Sequence, residues 1–159
     1  MVDLGIERTP RAGVGFTIDH AQGPARFFAV GNYWPLHRAA ILSDQQRGAN
    51  VSIGSVGISV GPRITRPPFE LVPRLGAMGY LVRATGYGVD QPLSDAIEWW
   101  SINVGNVFLW EVQSLFFLQA ALDVYFPVTR PAARLDPGGD AFRPGPLGVQ
   151  AYLGALCRY

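Results

Sequence analysis

A chain of 159 residues with 48% hydrophobic and only 16% charged residues is long enough to close one core and far too apolar to be disordered. The formal net charge of +1 excludes the strongly basic surface that a nucleic-acid backbone demands, and the single cysteine, Cys157, excludes an internal disulfide or a cysteine-rich metal site. A single β domain over residues 1–159 is therefore expected, with part of its weakly charged surface covered by something.

All 13 basic residues are arginine, a side chain that tolerates interfaces better than lysine because it is less hydrated and makes planar, bidentate contacts. The opening residues MVDLGIERTPRAG have no apolar core of the signal-peptide kind, so synthesis in the cytosol without a signal peptide is the expectation. Residues 1–24 read as an N-terminal arm or edge strand, with one short alternating piece at Val14, Gly15, Phe16, Thr17 and Ile18. Residues 25–30, ARFFAV, are a better strand and end at Gly31-Asn32. The next ten residues, YWPLHRAAIL, fit an irregular strand or a short helix equally well.

The polar run SDQQRGAN, residues 43–50, reads as an exposed loop. In the following VSIGSVGISVG the apolar phase slips between Ile53 and Val56, which predicts a bulge or turn at Gly54-Ser55. Residues 61–68, GPRITRPP, are a connection because three prolines exclude regular structure. Residues 69–72 are short and extended before Pro73, and residues 79–87, rich in β-branched and aromatic side chains, form a strand.

Residues 96–126 hold three of the four tryptophans, and the core is expected to be built on them. From Glu111 to Phe126 the five polar residues scatter around a helix, but four of them share parity on a strand, so strand is the better fit. Residues 99–104 alternate as well, and Gly105-Asn106 then resembles a hairpin turn. Residues 107–126 are long for one strand and must bend or break. A membrane span over residues 99–118 is disfavoured by Glu111, Gln113, Asn103, Asn106 and Gly105, so none is expected. With five prolines and four glycines, residues 127–148 form a long loop, and residues 149–159 a last strand.

Seven or eight strands without βαβ alternation predict an all-β fold, an antiparallel β-sandwich or jelly-roll-like domain. No motif carries chemistry. Asp19-His20 and His37 with Asp44 are the only His/acid groupings, a triad with Ser43 or Ser94 has no nucleophile elbow behind it, and Gly86-Tyr87-Gly88 lacks the rest of a phosphate loop. Asp136 and Asp140 lie on a glycine turn without the further acids of a calcium loop. No catalytic, cofactor-binding or metal residue is therefore assigned, no cofactor is expected and an enzyme is not expected.

What remains is a structural subunit of a larger protein assembly, a homo-oligomer or a multi-protein particle such as a virion or phage component (capsid, decoration or tail). The expected partners are protein subunits, not nucleic acid. The alternatives are a carbohydrate- or ligand-binding module using Trp99, Trp34, Tyr33, Tyr87 and Tyr80 as stacking surfaces, and a small hydrolase using His20 or His37.

Overall fold

The computed structural model describes residues 2–3, 11–41, 44–87, 94–129, 133–135, 139–142 and 145–157. The strands in chain order are β1 (Val2–Asp3), β2 (Arg11–Ala12), β3 (Val14–Gln22), β4 (Ala25–Ile41), β5 (Asp44–Pro62), β6 (Ile64–Arg66), β7 (Phe69–Tyr87), β8 (Ser94–Gln113), β9 (Phe116–Pro127), β10 (Ala133–Leu135), β11 (Gly139–Phe142) and β12 (Gly148–Cys157). One antiparallel sheet takes them in the order β2-β1-β12-β9-β8-β7-β5-β4-β3, with β6 folded onto β7, while β10 and β11 form a separate hairpin. The large sheet curls into a half-barrel.

The all-β expectation holds. The finer one, a sandwich or jelly roll, would need a second sheet stacked on the first, and among the described residues there is none. A single sheet bends round on itself and packs its concave face together. The chain is an up-and-down meander in which each long strand hydrogen-bonds to the next.

Several local expectations are corrected. Gly105-Asn106 is not a turn: β8 runs unbroken through it, with Gly105 opposite Arg74 on one side and Asp123 on the other. The chain reverses instead at Ser114-Leu115. Gly54-Ser55 is not a bulge, since β5 keeps continuous register with both β4 and β7 there. Residues 44–50 belong to β5 rather than to a loop, residues 42–43 lie outside the described residues, and residues 69–72 open a strand that continues through Pro73.

Residues 14–22 form an edge strand, but the prolines of residues 61–68 do not exclude regular structure: Gly61 and Pro62 end β5 and Ile64–Arg66 form β6. The stretch 127–148, expected as one loop, contains the β10–β11 hairpin. The β3–β4 reversal uses Gly23 at φ 57°, a left-handed conformation that glycine adopts without penalty.

The concave face has two apolar layers. One gathers Trp34, Ile53, Tyr80, Val82, Trp99 and Tyr125; the other gathers Phe28, Val72, Val107, Leu109, Phe117 and Leu156. Burying each of the larger aliphatic or aromatic side chains is worth about 1.5–3 kcal/mol. Tyr80 and Trp99 face each other across β7 and β8 and stack at 4.9 Å, 3° from parallel.

Candidate functional site

Polar and charged side chains lie between and below the two layers. Arg26, 1% exposed, pairs with Asp19 and with Glu70 at 2.6 Å, and Arg63 holds the other Glu70 oxygen at 2.9 Å. Hydrogen bonds to Glu70 are the main reason that the Arg63 guanidinium, in the β5–β6 link, is held above its ordinary pKa. Arg74 forms a bidentate pair with Asp123, its Nε donating at 3.0 Å. Its guanidinium also lies 5.1 Å from the centre of the Phe28 ring. Asn32 donates to Ser55 at 3.1 Å, Ser101 to Asn103 at 2.6 Å and Gln150 to Tyr80 at 3.2 Å.

The Arg74–Asp123 pair depends on Gly105. Arg74, Gly105 and Asp123 stand in one cross-strand row, so the guanidinium reaches its carboxylate over the strand between them. A methyl group at position 105 would overlap Asp123 Oδ1 and the Leu122 carbonyl. Gly105→Ala is therefore expected to destabilise the fold by about 1–3 kcal/mol, the usual range for overpacking. The denaturant midpoint measures this, and an unchanged midpoint would mean that the row is looser than its register implies.

The convex face is the reverse. Along β8 the outward positions of residues 100–110 are Trp100, Ile102, Val104, Asn106, Phe108 and Trp110; along β9 those of residues 116–126 are Phe116, Leu118, Ala120, Leu122, Val124 and Phe126. On β7 Phe69, Leu71, Leu75 and Ala77 continue the band, and on β5 Val56, Ile58 and Val60. Many of these are strongly exposed, Ile58 at 71% and Leu122 at 53%. Within these windows the outer face carries no charge. Charged and polar outward residues resume beyond it, at Arg83, Thr85 and Glu98 towards one end and at His20 and Gln22 towards the other. Aromatic rings mark the edges: Phe69 stacks on Phe108 at 5.3 Å and lies 6.2 Å from Trp110, while Trp100 covers Gly79 at the opposite edge.

The residues singled out from sequence do not assemble into a catalytic or metal centre among those described. Asp19 points inward to Arg26 while its neighbour His20 points out. Ser94 is exposed; Ser43, Gly88 and Asp136 lie outside the described residues, as do the side chains of His37, Asp44, Tyr87, Asp140 and Cys157. No cluster of three potential metal ligands occurs among the described residues. Of the aromatics considered as a stacking surface, Trp34, Tyr80 and Trp99 are buried and Tyr33 is exposed.

What the sequence reading missed is that the outer face is apolar as well as the inner one. The signal was present in the phase slip along β5, where Val51 and Ile53 face inward but Val56, Ile58 and Val60 face outward. No protein-family model matches the chain, and no curated protein matches it significantly. Among the described residues no helix is long and apolar enough to cross a membrane, a statement that does not bear on strands.

Proposed function

We propose that this chain is a membrane-embedded β-barrel protein whose lumen is filled by its own side chains, so that it serves as a structural or anchoring barrel and not as a pore. The observation that carries the reading is the pairing of an uncharged apolar outer band with buried ion pairs inside the same sheet. A water-soluble sheet solvates its outer face with polar and charged residues; a lipid-facing barrel turns apolar residues outward.

The dimensions agree. Residues 100–110 and 116–126 give about eleven residues per crossing, which at a rise of roughly 3.4 Å and a tilt near 40° covers about 25 Å, the height of the apolar band in transmembrane barrels. Aromatic rings at both edges of the band match the interfacial girdles of such proteins. A barrel of about eight strands has an interior just wide enough for side chains to fill, and the two apolar layers with their ion pairs occupy it.

The test is reconstitution. The chain refolded from denaturant into detergent is expected to migrate faster unheated than heated on a gel, to float with phospholipid vesicles under alkaline extraction, and to produce no conductance steps in a planar bilayer. A chain that folds without detergent, ignores vesicles and forms a defined oligomer in buffer would overturn the reading in favour of the particle subunit expected from the sequence, with protein rather than lipid covering the apolar band. Steady conductance steps would overturn the filled lumen.

A further inference from the structure

We infer that one water molecule is held inside the sheet between Ser59 and Arg74, where it ties β5 to the Arg74–Asp123 pair. Two glycines open the space for it. Along the inner face Gly57 stands between Val30 and Met78 in one cross-strand row, and Gly76 stands between Ser59 and Asn103 in the next. Neither puts a side chain into the interior. A small cavity of about 10 Å³ results, with Gly57, Ser59, Arg74, Asn103 and Asp123 among its lining residues.

Size and charge together name the occupant. About 10–15 Å³ is the least that holds one water, so there is no room for a second, or for a side chain arriving from elsewhere in the chain. Arg74 and Asp123 bring one positive and one negative charge to the walls, which favours a neutral occupant over an ion.

The polar atoms of the walls supply both kinds of hydrogen bond. Arg74 is 6% exposed; its Nε and Nη2 are taken up by Asp123, whereas Nη1 is buried and has no partner among the described residues. The Ser59 hydroxyl is buried without one as well. Buried polar groups in native proteins are nearly always hydrogen-bonded, to ordered water where the chain itself offers nothing. The water accepts from Arg74 Nη1 and from Ser59 Oγ and donates to the Asp123 carboxylate, whose oxygens keep lone pairs beyond the two guanidinium bonds. Asn103, whose amide nitrogen reaches the Met78 sulfur at 3.9 Å, is a fourth neighbour. The site thus links four adjacent strands, β5, β7, β8 and β9. It is structural, because a single enclosed water has no second water to which it could pass a proton.

The site lies inside the sheet and is the same whether lipid or protein covers the outer band, so it stands or falls apart from the membrane reading. The experiment labels the arginine nitrogens with nitrogen-15 in the chain folded in detergent, or in buffer if it folds without detergent, and measures nuclear Overhauser transfer from water to the guanidinium hydrogens. Arg74 is expected to show the negative transfer of a water that tumbles with the protein, and exposed Arg66 to show none. Ser59→Val fills the cavity with methyl groups and is expected to abolish the Arg74 signal. Ser59→Ala keeps the space but removes one partner, and is expected to shorten the residence of the water about tenfold by oxygen-17 relaxation dispersion, the scale of one lost hydrogen bond. If Ser59→Val does not fold, the residence time in Ser59→Ala decides. No transfer at Arg74, transfer equal to that at Arg66, a signal that survives in folded Ser59→Val, or a residence time unchanged by Ser59→Ala would each overturn the proposal.

Discussion

Arg74→Met is expected to lower the unfolding free energy by about 3–5 kcal/mol, because it leaves a buried carboxylate without its cation. Asp123 is 2% exposed, and its carboxylate accepts from two guanidinium nitrogens of Arg74. Methionine keeps the aliphatic stem that lies near Phe28, so the loss isolates the charge rather than a cavity. Adding Asp123→Leu is expected to recover most of the stability, since replacing both partners of a buried pair by apolar groups is often neutral or favourable. Denaturant titration of the four proteins in the double-mutant cycle measures the coupling. A single-variant cost under 1 kcal/mol would show that water reaches the pair and that the lumen is not packed.

Leu122→Arg tests the outer face. Leu122 points outward in the middle of the apolar window on β9, and an arginine at the midplane of a barrel in a bilayer costs about 2–4 kcal/mol. Val128, exposed just past the end of the same strand, sits at the edge of the band, where the same substitution costs about 0–1 kcal/mol. Folding titrations into phospholipid vesicles are expected to show this graded profile. Equal costs at the two positions would point to a surface that no bilayer covers, and no cost at either would mean that this face meets water.

The strands were legible in the sequence because β-branched and aromatic residues alternate between glycine and proline signals, whereas residues 127–148, read from their prolines as one long loop, hold the β10–β11 hairpin. Which face is inside was not. Period-2 alternation is the same whether apolar residues turn inward or outward, and residues 96–126, on which the core was expected to be built, turn Ile102, Leu118 and Leu122 outward. The requirement of about twenty apolar residues applies to helices, whereas a strand crosses with about ten, so Glu111 and Gln113 at the end of β8 did not bear on a strand crossing at all. Gly105 resembled a turn because its actual task, leaving room for an ion pair between the flanking strands, depends on partners far away in the chain. Arg26 and Glu70 lie 44 residues apart, a separation that no local pattern reports.

The meander also sets the order in which the molecule can assemble. Each long strand finds its partner in the next one along, across connections that are short except between β9 and β12, where residues 128–147 intervene, so most of the sheet can grow hairpin by hairpin. The contact of β1 with β12 is the exception, because it joins opposite ends of the sequence. It comes last in such a scheme, and the sheet spends its assembly as an open ribbon with two free margins. Those margins are the place where a wrong neighbour can pair before the right one arrives.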